Sequence, residues 1–350
     1  MDNNQLPDSA DAGVQSNAST DDALPTVIPD MGIERNTRPR INLRRVAVLV
    51  VMMSAVGLLA IRSGAMQAIL EIFTGHQLPV SGTPVAATHS KLSEHEIEYI
   101  NSRPPQEQME RLLSAAVNHD IGATEMIEGK VTGWHGHLAR SKQWQVLSDT
   151  ALYSNDLRVR AAAIEIELAV NQVDKSRETA TGLWRAGEDN VKSRPFSAWE
   201  LGMLANRGIA PDLVQEWLES WVHDPDQQTR FWSVEGLAHI GTDSTIKDFL
   251  DVLRNDPSME VRERAGCSLA KSGMLTREQR MKAVPGLLDL AEDSALNATT
   301  RGWVYQALRE ISDQSIPNDP GAWRDWYAAH GSERAARFHQ GEQQQVLGNN

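Results

Sequence analysis

Residues 224–241 read DPDQQTRFWSVEGLAHIG, and residues 256–273, which begin 32 positions later, read DPSMEVRERAGCSLAKSG. The two stretches share an Asp-Pro start, an Arg six positions after the Asp, a Leu-Ala pair and a final Gly. Apolar residues recur between these landmarks at the three- and four-residue spacing of an amphipathic helix. Asp-Pro and Gly are signals for the start and the end of a helix. A repeat of this period indicates tandem helical units that bury their apolar faces against each other.

Looser copies of this pattern flank the two clear ones. They are Thr300-Arg301-x2-Val304-x3-Leu308-x2-Ile311, the stretch from Asp156 through Val159-Arg160-x2-Ala163 to Leu168, and part of residues 199–208. An Asp-Pro turn followed by Val-Arg-x-x-Ala-x-x-x-Leu resembles the HEAT and HEAT-like (PBS-lyase-type) repeats. The resemblance covers residues 145–315 well and residues 91–144 weakly. It implies an all-α fold, an α-solenoid of helix pairs, and says almost nothing about activity.

From Lys91 onward, the sequence predicts a succession of helices and no strand. Ser93 followed by Glu96 predicts a capping box at the start of the first helix, and Pro104-Pro105 ends that helix and starts the next. Further helices are predicted at 124–137, 140–153, 157–171, 175–187, 195–207, 210–222, 226–240, 243–254, 258–272, 276–291, 297–312 and 320–338.

Arg230, Arg262 and Arg301 occupy equivalent places in the copies of the repeat. We expect these arginines to form a structural ladder with the turn acids Asp224 and Asp256, which would tie one unit to the next. The alternative is an anion-binding stripe, which the neighbouring acids disfavour.

The other strong feature is the apolar run VAVLVVMMSAVGLLAI at residues 46–61. Its sixteen residues would span about 24 Å as a helix, and the flanking apolar residues and arginines can extend the span toward the roughly 30 Å of a bilayer core. We therefore predict a single transmembrane helix within residues 41–73. One alternative is a signal peptide cleaved near Ser63-Gly64-Ala65, which the late start of the run disfavours. The other is a buried helix of a soluble domain, which would need an apolar neighbour upstream.

Arginines set the predicted orientation of this anchor. Residues 35–62 carry six arginines and no acid, and five of the arginines precede the run. Positive flanks stay in the cytoplasm, so the C-terminal domain is expected outside it, in the periplasm if the source is bacterial. The predicted order is a disordered cytoplasmic tail, the anchor, a linker, the solenoid and a second disordered tail, at residues 1–40, 41–73, 74–90, 91–340 and 341–350.

The chain has a formal net charge of −13. Residues 1–34 hold seven acids and no base, and residues 35–62 hold six arginines, so residues 63–350 account for −12. Nucleic-acid binding needs a basic footprint and is therefore not expected. Cys267 is the single cysteine, so no intrachain disulfide can form, and this thiol is expected to be a small buried helix residue.

Motifs for nucleotide binding, nucleophilic catalysis or zinc binding are missing from the sequence. His135-Gly136-His137 places two imidazoles two residues apart, which is unsuited to one helix face, and no third ligand has characteristic spacing. We therefore expect no metal, no cofactor and no enzymatic activity. An active site would require polar residues that converge from separate repeats.

All ten tryptophans lie between Trp134 and Trp326. Most are expected in the core, while Trp217, Trp221, Trp323 and Trp326 are candidates for a binding surface. The leading functional expectation is a membrane-anchored scaffold or adaptor that binds protein partners through its solenoid. The alternative is a glycan- or peptidoglycan-binding module, in which these four tryptophans would line an open groove.

Overall fold

Helices account for most of residues 90–347, the part of the chain that the computed structural model describes, with side chains to residue 342. Strands are absent from this part, in which an isolated bridge pairs Lys91 with Ile121. The α-helices are α1 Glu94–Asn101, α2 Pro105–Val117, α3 Ala123–Trp134, α4 Lys142–Leu152, α5 Leu157–Val170, α6 Arg177–Asp189, α7 Arg194–Asn206, α8 Pro211–Trp221, α9 Gln227–Ile240, α10 Ile246–Asn255, α11 Met259–Cys267, α12 Arg277–Met281, α13 Val284–Glu292, α14 Ala298–Ser312 and α15 Pro320–Leu347. The prediction of an all-α domain is confirmed.

Local sequence signals set several helix starts. The capping box predicted at Ser93 and Glu96 is present: the Ser93 hydroxyl accepts from the Glu96 N–H, and the Glu96 carboxylate accepts from the Ser93 N–H at 2.8 Å. Asp156 caps α5 and Asp226 caps α9, each through a side-chain oxygen. These caps satisfy N–H groups that have no partner within the helix.

The helices pack in two rows. In the first row, α5, α7, α9, α11 and α14 each contact the next member. In the second row, α4, α6, α8, α10 and α13 each contact the first-row helix that follows it in the chain. The repeat residues Leu237, Leu269 and Leu308 are fully buried, as are the small residues Ser233 and Ala265. Tandem copies of the sequence motif thus supply the apolar surface between neighbouring helices of the first row.

The closest approach in the first row lies between α7 and α9. A Cβ added at Gly202 would lie 2.5 Å from the Cα of Gly236, and one added at Gly236 would lie 2.5 Å from the carbonyl oxygen of Ala198. Real Cβ atoms essentially never come that close to backbone. The two glycines therefore allow the two backbones to touch.

The largest differences from the predicted helices concern the last third of the chain. The helix predicted at 258–272 changes from α to π geometry at Ser268–Ser272. The helix predicted at 276–291 is interrupted between α12 and α13, because Pro285 has no N–H to offer the carbonyl of Met281. Helix α15, predicted at 320–338, continues to Leu347, since Glu, Gln and Leu are good helix formers.

The predicted transmembrane helix, the cytoplasmic tail and nearly all of the linker lie outside the described residues. Between residues 90 and 347, no helix combines the length and the apolar character needed to cross a membrane.

Candidate functional site

Several ionisable side chains are buried along the first row. They are Arg160, Glu165 and Glu167 on α5, Glu200 on α7, and Glu235 and His239 on α9. A buried charge is costly unless it is paired or lost by a change of protonation. The bonds that each of these groups makes therefore show whether it stabilises the fold or is available for chemistry.

Glu235 forms an ion pair with Arg264 of α11. The Arg264 Nη2 donates to Glu235 Oε2 at 2.8 Å, and Nε faces the other carboxylate oxygen. Burial raises the pKa of Glu235, and the Arg264 charge opposes that shift. The guanidinium also lies 5.5 Å from the ring centre of Tyr153, which is 50% exposed. The pair thus joins two first-row helices and reaches the surface at Tyr153.

His239 lies one turn beyond Glu235 on α9. Burial, together with the charges of Arg264 and Arg160, lowers the pKa of His239 to about 3. The imidazole is therefore neutral at ordinary pH, and it packs edge-on against Trp199 with 4.6 Å between ring centres. Cys267 is close enough to Arg264 to feel its charge, but burial raises the pKa of the thiol. An imidazole with so low a pKa is a weak base, and a thiol with a raised pKa stays protonated, so neither group is activated for nucleophilic catalysis.

A carboxyl pair, Glu167 and Glu200, lies where α5 packs against α7. Glu167 accepts a hydrogen bond from the Ser148 hydroxyl, and Glu200 Oε1 accepts one from Asn171 Nδ2 at 2.6 Å. Glu200 is fully buried, and its Oε2 has no hydrogen-bond partner among the described residues. Burial raises the pKa of Glu167 to about 7, and burial and the neighbouring Glu167 raise that of Glu200 to about 8.

The ladder residues predicted from the sequence occupy the turns between the rows. Arg230 Nε donates to Asp256 Oδ2 at 2.8 Å, and Arg230 Nη1 donates to the Asp224 carbonyl at 2.9 Å. Arg262 donates to the Asp256 carbonyl. The Asp224 carboxylate instead pairs with Arg194. Arg230 and Asp256 thus link two consecutive copies, as an inter-repeat ladder requires.

The last ladder residue, Arg301, bonds to backbone alone. Its Nη2 donates to the carbonyls of Asp293 and Leu296 at 2.8 and 3.0 Å. It therefore holds the turn before α14 and makes no contact with Asp224 or Asp256.

The four tryptophans proposed for a binding surface are mainly packing residues. Trp221 and Trp323 are 3% and 0% exposed, while Trp217 and Trp326 are half-buried. Trp184 stacks on both Trp217 and Trp221, with ring centres 5.1 and 4.5 Å apart. A sugar would need an open ring face on these residues, and Trp184 covers one face of each. The open groove lined by all four side chains is not formed.

An aromatic patch that the sequence analysis did not single out lies on α7 and α9. It consists of Phe196, which is 42% exposed, and the half-buried Trp199, Phe231 and Trp232. Trp199 and Trp232 meet edge-to-face with 5.2 Å between ring centres, and Phe231 lies 5.6 Å from Trp232. We call these four residues the α7–α9 aromatic patch.

Some of these residues could have been identified from the sequence. The run Ile164-Glu165-Ile166-Glu167-Leu168 places two acids in an otherwise apolar helix, which signals buried carboxyls. Glu235 and His239, in contrast, occupy variable positions of the repeat, and nothing local marks Arg264 as the partner of Glu235.

The described residues, 90–347, contain no group of three or more His, Cys, Asp or Glu side chains arranged to hold a metal ion. His135 contributes only a weak contact, with 3.5 Å between its Nε2 and Asp174 Oδ1. No protein-family model matches the chain, and no curated protein matches it.

Proposed function

We propose that residues 91–340 form a HEAT-like α-solenoid that binds a protein partner as a scaffold or adaptor. Support comes from the tandem motif copies, whose helices pack in two rows, and from the Arg230–Asp256 link between consecutive copies. Each helix of the first row contacts the next, and the Arg160 bonds to Lys271 and Gly273 additionally join α5 to the segment after α11. Arrays of this kind bind partners through their extended surfaces. The proposed family rests on the repeat motif. The proposed function needs its own evidence from the surface, because a fold alone does not determine function.

The observation that favours a protein partner most is the α7–α9 aromatic patch. Phe196 is exposed on α7, and one helical turn further on Trp199 meets the half-buried Trp232 of α9, the next first-row helix. Partly exposed aromatic side chains of this kind dominate the binding energy of protein interfaces. Glycan binding through Trp217, Trp221, Trp323 and Trp326 has less support, because two of those side chains are buried.

The variant Phe196→Ser/Trp232→Ser is expected to lose the partner while keeping its helical content, because a hot-spot aromatic contributes about 2 kcal/mol or more to binding. The measurement is affinity purification from detergent extracts of cells that express the chain, followed by mass spectrometry. The matched control is Val146→Ser, since Val146 is 67% exposed on α4. A protein retained by the wild type and the control but lost from the double variant supports the proposal. Equal recovery with both variants counts against it.

The proposed setting is a membrane, with residues 46–61 as the anchor and the solenoid outside the cytoplasm. Alkaline phosphatase fused after Asn350, compared with a cytoplasmic fluorescent reporter at the same site, tests this topology. Phosphatase activity with a dark fluorescent fusion is the expected result. The reverse pattern contradicts the orientation argued from the arginines and directs the partner search to the cytoplasm.

A further inference from the structure

The carboxyl pair of Glu167 and Glu200 has no part in the proposed binding surface. The two side chains come from helices that pack directly against each other, α5 and α7. Each carboxyl receives one hydrogen bond, from the Ser148 hydroxyl or from the Asn171 amide, and both donors are uncharged. The buried Glu200 Oε2 receives none from any residue that the structure describes. Two ionised carboxylates would thus be confined here without a directly bonded cation.

The surrounding charges do not compensate for this. Arg140, in the segment before α4, favours ionisation of both carboxyls, but it donates to Asn171 Oδ1, at 2.6 Å, and not to the carboxyls themselves. Asp149 of α4 opposes ionisation of Glu167. One indirect cation therefore faces two carboxyls and a further acid.

Ionisable groups on α5 itself and on α9 are already engaged. On α5 itself, Glu165 is paired with Lys175 at 2.8 Å and lies near Arg207 of the loop after α7 at 3.6 Å. On α9, which packs against α7, Glu235 is paired with Arg264, and His239 is neutral. No cationic side chain of these elements is bonded to Glu167 or Glu200.

We propose that the contact between α5 and α7 is a pH-sensitive joint, which is tight while the Glu167–Glu200 pair retains a proton and loosens when the pair becomes fully ionised. The two carboxyls interact, so they titrate as a pair and not as independent groups. Full ionisation places two negative charges in a buried contact that has one unpartnered oxygen, and separation of the helices admits the water that would solvate them.

The direction of the pH dependence follows from linkage. In the unfolded chain, these carboxyls ionise near the ordinary glutamate value of 4.5, whereas the folded chain holds them to pKa values of about 7 and 8. The proton-dependent stabilisation is therefore complete below pH 4.5 and is lost as the pH rises through 7 and 8. The joint should be tight at pH 6 and loose at pH 9.

Hydrogen exchange on the full-length protein in detergent tests this. In the wild type, protection factors for α5 and α7, corrected for intrinsic exchange, should fall by about tenfold or more between pH 6 and pH 9, relative to α14. Glu200→Gln keeps the shape but leaves Glu167 as the one ionisable member of the pair, so the loss of protection over this range should be at least about tenfold smaller than in the wild type. Glu216→Gln, at an exposed site on α8, is the matched control and should behave like the wild type. Unchanged wild-type protection, or an equal loss in Glu200→Gln, overturns the proposal.

A second measurement needs no variant and therefore holds even if Glu200→Gln misfolds. Glutamate labelled with ¹³C at the side-chain carboxyl reports ionisation by NMR. At least one glutamate resonance of the folded protein should titrate above pH 6.5. Titration of every glutamate below pH 5.5 would rule out a proton on the pair at neutral pH and with it the joint.

Discussion

Gly236→Ala is expected to destabilise the helical domain by about 3 kcal/mol, because the new methyl group has no space between α7 and α9. The added Cβ would lie 2.5 Å from the carbonyl oxygen of Ala198 and 2.9 Å from Leu218 Cδ1. The nearer obstacle is backbone, so relief requires the two helices to move apart. Such a movement would also weaken the packing of Leu201, Leu204 and Leu237, which are fully buried.

Gly182→Ala is the matched control for this prediction. Gly182 lies in the interior of α6, and a Cβ there would meet nothing within 4 Å. Alanine is the better helix former, so this change should stabilise the domain by about 0.5–1 kcal/mol. Urea unfolding followed by far-UV circular dichroism measures both effects. Similar free energies of unfolding for the two variants would show that the α7–α9 crossing tolerates a side chain and that the argument from close approach is wrong.

Helix positions were predictable wherever the sequence carries local information. The Asp-Pro starts, the caps at Asp156 and Asp226 and the capping box at Ser93 act within a few residues, so a single sequence reveals them. The repeat of Arg230 and Arg262 likewise predicted equivalent turns, and Arg230 does link its unit to Asp256 of the next. Local signals of this kind account for nearly all of the predicted helices.

Two glycines at equivalent motif positions adopt different backbone conformations, which local sequence does not predict. Gly241 and Gly273 close the two clear copies of the motif, and the sequence predicts the same helix end at both. Gly241 has φ 67°, the left-handed conformation common after a helix, whereas Gly273 is extended, with φ −98° and ψ −174°. The Gly273 carbonyl accepts from Arg280, at 3.1 Å, and from Arg160. Arg160 lies 113 residues earlier, so no local pattern could reveal this contact.

The candidate site shows the same limit. Tyr153, Glu235 and Arg264 come from three separate helical units. Glu235 and Arg264 occupy variable positions of the repeat motif, and Tyr153 precedes the copy that starts at Asp156. Trp217 and Trp221 drew attention through their spacing, but Trp184, which stacks on both, lies on another helix. Residue type and spacing thus identify candidates, while exposure depends on neighbours that are distant in the sequence.

Arg160→Met is expected to be the other strongly destabilising change, by about 3 kcal/mol. Arg160 is 3% exposed and donates to the carbonyls of Ser154, Lys271 and Gly273. These bonds join α5 to the end of the π-helical segment, where helix carbonyls have no partner of their own. Methionine fills much of the same volume but leaves buried carbonyls without a donor, and each loss of a hydrogen bond to a charged group costs about 1.5–3 kcal/mol.

Arg160 is buried and has no carboxylate partner among the described residues, which affects its pKa. Burial lowers the pKa of Arg160 to about 10 and that of Arg280 to about 9, so both guanidinium groups remain charged at neutral pH. Their repulsion is offset by the carbonyls between them.

Arg158→Met is the control, because the Arg158 side chain is 46% exposed and pairs with Asp156, a contact worth at most about 1 kcal/mol. Urea unfolding gives the free energies, and hydrogen exchange gives the location. Arg160→Met should lose protection both in α5 and at residues 268–273, because one side chain holds these two segments together. Two results would contradict this: a loss of protection confined to α5, or a decrease in unfolding free energy no larger than that of Arg158→Met. Either would show that the carbonyls find other donors and that Arg160 does not hold α5 to residues 268–273.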